Sequence, residues 1–197
     1  MEKENILELF KMTGALQHGH FRLTSGLHSP EYFQCARVLQ HPQYNELLCG
    51  EIARHFHDWR IELVIAPAIG GIMVGQEVAR QMRVRGIFAE REDKSMSIRR
   101  GFEVKQGERV LVCEDVVTTG GSVQEVVDLV KNAGATVVGV ASVVNRSRAP
   151  VNFGAEFFSL LKMEVPTYQP ESCPLCKENV PIVKPGSRKV AEQAKAE

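Results

Sequence analysis

The chain has 197 residues, 44% of them hydrophobic, which is enough to bury the core of one sizeable domain. Its 24 basic and 24 acidic side chains cancel, so no bulk charge points to nucleic acid, and no apolar run is long enough to span a bilayer. The N-terminus, MEKENILELF, lacks the apolar core of a signal peptide, and the five scattered cysteines fit a reduced, cytoplasmic setting better than a disulfide framework.

The first predicted element is a short helix over residues 4–13, with Ile6, Leu9, Phe10 and Thr13 on one face. The stretch GHFRLTSGLHSPEYFQCARVL follows, punctuated by Gly19, Gly26 and Pro30, and reads as short strands and turns. Tyr32 and Phe33 within it are candidate core aromatics of an edge strand. His18, His20 and His28 lie close together but match no closed zinc pattern, and they read as surface or turn residues. A helix over 42–58 starts at a proline and carries Tyr44, Leu47, Leu48, Ile52 and Phe56.

Leu63 to Ala66 reads as a buried strand, Pro67 to Gly71 as a turn, and the segment through Val74, Val78 and Met82 as a helix. Gly70 and Gly71 have two readings: backbone N–H groups brought close to a ligand, or tight packing of strand against helix. Ile87 to Ala89 is a further strand. It leads into Arg91 to Gly101, where Arg91, Lys94, Arg99, Arg100, Ser95 and Ser97 leave little to bury. That segment is either a solvated basic turn or a mobile cationic loop or hairpin.

The richest stretch runs from Arg109 to Gly134. Val110 to Cys113 form a buried strand, followed by the acidic pair Glu114 and Asp115, and then Val116, Val117, Thr118, Thr119, Gly120, Gly121 and Ser122. Val123, Val126, Val127 and Val130 recur at helical spacing, and Gly134 stops the helix. Glycines permit a tight turn, and the first amides of the helix favour an anion such as phosphate. Carboxylates beside that cradle would repel a phosphate, so they suit sugar hydroxyls or a hard cation. Together these features suggest a ribose phosphate ligand. Thr136 to Asn145 is another strand, ending at Arg146, and 156–161 is the last. The Pro-rich C-terminal segment contains Cys173-Pro174-Leu175-Cys176. One such pair cannot close a tetrahedral site alone, and a site shared with another Cys or His is the minor alternative. Residues 187–197 read as a disordered tail.

EDVVTTGGS resembles the phosphoribosyl pyrophosphate (PRPP) loop of the type I phosphoribosyltransferases, and it lacks the Gly-Lys-Ser/Thr ending of a Walker loop. GHFxLTSGxHSPxYF and the C-terminal CPLC…KPGSR resemble the orotate phosphoribosyltransferases among them. The resemblance implies an α/β fold, with a central parallel sheet flanked by helices. It makes residues 1–186 a single domain, with a small hood formed mainly by 14–40 and the C-terminal segment. It also implies transfer of a phosphoribosyl group from PRPP to orotate, with Mg²⁺ held mainly by PRPP and water and no direct protein ligand.

By the same resemblance, Arg91, Gly70, Gly71 and residues Glu114 to Ser122 bind PRPP. Thr118, Arg146, Tyr32 and Phe33 meet orotate, Arg146 through the orotate carboxylate. Lys94, Arg99, Arg100 and Asp115 are the catalytic candidates, with the cationic loop reaching into the neighbouring subunit of a homodimer. The chain departs from the better-known orotate enzymes by Thr24 and Gly70 where they carry lysine, by Glu92 after Arg91, and by a cationic loop without histidine. The alternatives are a purine phosphoribosyltransferase and a PRPP-binding nucleic-acid regulator. Neutral charge weighs against the second.

Overall fold

In the computed structural model, residues 1–23, 25–93 and 95–185 are described. In chain order the elements begin with α1 (Lys3–Met12), β1 (Leu16–Arg22), β2 (His28–Phe33), α2 (Ala36–Leu39), α3 (Pro42–His55), β3 (Leu63–Pro67) and α4 (Gly70–Met82). There follow β4 (Arg85–Glu92), β5 (Ser95–Ile98), β6 (Arg109–Val117), α5 (Gly121–Asn132), β7 (Thr136–Asn145), β8 (Glu156–Lys162) and α6 (Pro174–Lys177). They group into two units. The first comprises Met1–Ala15 and Phe33–Glu164; the second comprises Leu16–Tyr32 and the segment from Val165 onward. The expected tail at 187–197 lies outside the described residues, as do Thr24 and Lys94.

The first unit is built on a six-stranded sheet in the order β5-β4-β3-β6-β7-β8. All its strand pairs are parallel except β4–β5, an antiparallel hairpin that forms one edge. Every residue of β3 is buried, and so are Val110 to Glu114 of β6, as expected of strands covered on both faces. Side chains alternate along each strand. Leu63, Ile65, Val110 and Val112 share one apolar cluster with Val123, Val126, Val127 and Val130 of α5. Alternation puts Val64, Ala66, Leu111 and Cys113 on the other face, where α4 packs against β3 and β6 with Val74 and Val78 buried. The α3 helix packs on α4, and the Cys49 thiol lies 3.8 Å from the Val74 carbonyl.

Local chemistry sets the ends of these elements. Pro42 supplies a helical φ at the start of α3. Beyond α5, Gly134 takes φ +75°. The N–H groups of Gly134 and Ala135 then turn back to the carbonyls of Lys131 and Val130, a Schellman closure.

Strand order fixes where a ligand can sit. From β3 the chain moves outward through β4 and β5, and β6 then returns to the opposite side of β3 before β7 and β8 continue away. The carboxyl ends of β3 and β6 therefore flank the topological switch point, the usual ligand crevice of an open α/β sheet.

The second unit contains the two-stranded β1–β2 sheet. The C-terminal segment joins it by a parallel bridge between Phe21 and Val183 and an antiparallel bridge between His28 and Tyr168. Its histidines correct the sequence expectation. His18 is exposed, but His20 and His28 are only 3% and 6% exposed. They are buried because the C-terminal segment, remote in sequence, covers them: the His20 ring bonds to the Val180 carbonyl at 2.8 Å.

Candidate active site

The acidic pair lies inside β6, not beyond it. The strand runs to Val117 because β7 keeps pairing, through Glu114 with Ser142, Val116 with Val144 and Val117 with Asn145. The loop proper is thus only Thr118 to Gly120, and α5 begins at Gly121. Thr118 and Thr119 are exposed, Ser122 is half-buried, and the amides of the first turn of α5 lie outside its internal ladder. Gly120 is required at its position. It takes φ +79°, and a Cβ there would lie 2.7 Å from Val151 and 3.0 Å from the Phe153 ring.

At the facing end of β3, Gly70 and Gly71 open α4 directly against the carboxylates. A Cβ on Gly70 would fall 2.5–2.8 Å from the three carboxylate atoms of Asp115. A Cβ on Gly71 would fall 2.9 Å from Glu114 Oε1 and 3.2 Å from the Cys113 carbonyl. Bare backbone here is what lets the acidic pair and the β3 loop share the switch point.

Glu114 is buried, while Asp115 is partly open to solvent. The Asp115 N–H donates to Glu114 Oε1 at 3.0 Å, and the Val116 N–H donates to Asp115 Oδ1 at 2.8 Å. Burial, followed by the charge and hydrogen bond of Asp115, pushes the Glu114 carboxyl well above the usual carboxylate range. Cys35, which no sequence pattern marked, is buried with its thiol 4.0 Å from the Asp115 carbonyl. Its thiol is held protonated, by burial first and then by the two acids.

Arg146 leaves the carboxyl end of β7 and is tied to the end of β6 by its N–H, which donates to the Val117 carbonyl at 2.8 Å. Its guanidinium lies over the Phe33 ring, 5.5 Å from the centroid, and Phe33 in turn meets Phe10 edge-on. Phe33 is buried. Tyr32 belongs to the second unit, where its ring lies 5.7 Å from that of Phe21.

The cationic segment is the β4–β5 hairpin, and its arginines already have partners. Arg91 pairs with Glu125 of α5 at 2.6 Å, Arg99 with Glu92 at 3.1 Å, and Arg100 makes two bonds of 2.9 Å to Glu90. Glu90, Glu92 and Glu125 carried no sequence signal of this role. Lys94 lies outside the described residues.

Sheet order and an acidic pair followed by a Thr/Gly turn define a class that the family comparison also finds. A model described as the phosphoribosyl transferase domain matches residues 37–164, and the chain belongs to that family. The chain is 60% identical over 192 residues to the orotate phosphoribosyltransferase of Chlorobaculum parvum, covering 98% of this chain and all of that one. It is 55% identical over 190 residues to the orotate phosphoribosyltransferase of Caldanaerobacter subterraneus, covering 96% of this chain and all of the other. Among solved structures, the Aeropyrum pernix orotate phosphoribosyltransferase superposes with a TM-score of 0.70, covering 80% of this chain and 93% of that one. At 21% identity, that likeness speaks for the fold alone.

Proposed function

We propose that the chain is an orotate phosphoribosyltransferase, moving the 5-phosphoribosyl group of PRPP onto orotate to give orotidine 5′-phosphate and pyrophosphate in pyrimidine synthesis. The observation that carries this reading is the 55–60% identity, over nearly the whole chain, to proteins of that name. The placement of Arg146 beside the loop supports the choice of base, because a planar guanidinium pairs with a carboxylate through two parallel bonds.

In this reading Thr118 to Ser122 and the first amides of α5 hold the 5′-phosphate. Asp115 and Glu114 grip the ribose hydroxyls, Asp115 from the more open position. Gly70 and Gly71 give the pyrophosphate room against the backbone. Displacement at the anomeric carbon develops oxocarbenium character, and orotate is already an anionic nucleophile, so no strong base is needed. The protein's task is to hold both substrates in line and to meet the charge of the leaving group with cations of the β4–β5 hairpin. The surrounding carboxylate and hydroxyl oxygens are hard donors compatible with a Mg²⁺–PRPP ligand that keeps its waters, and charge screening of pyrophosphate is what that ion supplies.

A homodimer with shared sites belongs to the same reading. It is supported by the exposed apolar side chains Leu47, Ile69 and Met73 on α3 and around the start of α4. A cytoplasmic setting fits five free thiols, and no described helix is long and apolar enough to cross a membrane. The test is loss of orotate ultraviolet absorbance with PRPP and Mg²⁺, run beside hypoxanthine and adenine. Turnover of a purine but not of orotate would overturn the assignment.

A further inference from the structure

Four side chains that the proposed reaction does not use converge in the second unit: His20, His28, Cys173 and Cys176. His20 comes from β1, His28 from β2, Cys173 caps the start of α6 and Cys176 lies within it. Their potential ligand atoms all lie within 4.8 Å of one another. His20 Nε2 is 2.9 Å from His28 Nδ1, 3.6 Å from the Cys173 sulfur and 3.7 Å from the Cys176 sulfur. The Cys176 sulfur is also 3.3 Å from His28 Nδ1.

Hydrogen bonding alone does not account for this convergence. The other nitrogen of His20, Nδ1, faces the Val180 carbonyl at 2.8 Å and must donate to it. That leaves Nε2 a single lone pair, which cannot serve His28, Cys173 and Cys176 at once. A cation at the centre satisfies all four atoms together. With Zn–N of about 2.05 Å and Zn–S of about 2.3 Å, a tetrahedron has edges of about 3.4 Å (N to N), 3.6 Å (N to S) and 3.8 Å (S to S). The observed separations scatter around those edges. The Nδ1–H bond to Val180 is also the kind of outer contact that orients a metal-bound imidazole.

We propose that His20 Nε2, His28 Nδ1, Cys173 Sγ and Cys176 Sγ form a closed tetrahedral zinc site that staples the C-terminal segment onto the β1–β2 sheet. Two thiolates balance the dication, and a mixed nitrogen and sulfur tetrahedron is a donor set that favours zinc. The unit needs such a staple. Among its described residues the buried apolar side chains are few, chiefly Leu16, Phe21, Val165 and Cys173. Its two pieces meet through sparse backbone bonds, such as Arg22 N–H to the Val183 carbonyl at 2.9 Å. Small units with little core commonly depend on a metal or disulfides.

The test uses the full, untagged chain expressed in zinc-supplemented medium. Metal analysis of the purified protein should find one zinc per chain, and exchange with Co²⁺ should give the intense visible bands and thiolate charge-transfer absorption of a tetrahedral site. A chelator should lower the melting temperature of the native chain, and added Zn²⁺ should restore it. The double variant Cys173→Ser, Cys176→Ser should lose the metal and its response to chelator, while His18→Ala, on an exposed neighbour, should keep both. If the double variant fails to fold, metal content and the cobalt spectrum of the native chain decide. The proposal is overturned if zinc-replete native protein holds far less than one metal per chain, if chelator leaves its melting unchanged, or if Cys173 and Cys176 are found as a disulfide.

Discussion

Replacing the two glycines that open α4 separates packing from ligand binding. Neither has positive φ, so alanine is conformationally allowed at both. In a helix interior it would gain up to about 1 kcal/mol of propensity. What differs is the neighbour. At Gly70 the atoms nearest the new methyl belong to the carboxylate end of Asp115, at 2.5–2.8 Å, and that partly exposed side chain can rotate away. At Gly71 it meets buried Glu114 at 2.9 Å, the Cys113 backbone at 3.2 Å and Ala66 Cβ at 3.3 Å, none of which can move aside. Gly71→Ala should therefore carry the overpacking cost of about 1–3 kcal/mol. At about 2–4 °C per kcal/mol for a chain of this size, a 2 kcal/mol loss lowers the melting temperature by about 4–8 °C. Gly70→Ala should melt near the native temperature yet bind PRPP about 10- to 100-fold more weakly, because a displaced Asp115 loses a charge-assisted bond of about 1.5–3 kcal/mol. Thermal melts and PRPP titrations of both variants check this. Native PRPP affinity in Gly70→Ala would refute the argument that Asp115 grips the ribose from its observed position.

Arg146→Ala should raise the orotate requirement about 10- to 100-fold, from a lost bond of about 1.5–3 kcal/mol, with PRPP affinity nearly unchanged; an unchanged orotate titration would remove Arg146 from the base site. Because burial and Asp115 raise the folded-state pKa of Glu114, the folded chain binds more protons than the unfolded one above pH of about 4.3. That contribution is complete below the unfolded pKa and is lost as pH rises through the folded one, so melting temperatures of native protein and Glu114→Gln should diverge with increasing pH, the variant falling less; parallel curves would contradict a raised Glu114 pKa. Mixing Asp115→Asn with a Lys94, Arg99 and Arg100 triple-alanine variant should restore activity at about a quarter of all sites if hairpins act across a dimer. Confirmed subunit exchange without activity would confine the hairpin to its own chain.

The inner sheet was legible because β3, β6 and β7 are largely apolar runs and α5 repeats valine at helical spacing. The cradle was legible because its residue types are concentrated in one short stretch. What escaped the sequence was set by partners distant in the chain. The length of β6 depends on pairing with β7, which carries the strand through Glu114 and Asp115 to Val117. The upward shift of the Glu114 carboxyl depends on burial that no local pattern encodes. His20 and His28 looked superficial because the segment covering them lies far along the chain, as the His20 to Val180 contact, 160 residues apart, shows. The hairpin arginines looked like free cations because their acids, Glu90, Glu92 and Glu125, are ordinary surface residues until the fold places them opposite.

Those arginine pairs bear on how quickly an anion can leave. A phosphate group recruited by Arg99 or Arg100 competes with a resident carboxylate for the guanidinium, so the affinity gained is set partly by the bonds already made to Glu90 and Glu92. When the anion departs, Glu90 and Glu92 are at hand to recapture the guanidinium groups. The hairpin would thus act as an exchanger of partners, binding its ligand only as tightly as its own acids allow and shortening the residence time of whatever it releases. Added salt would weaken both sides of that exchange together.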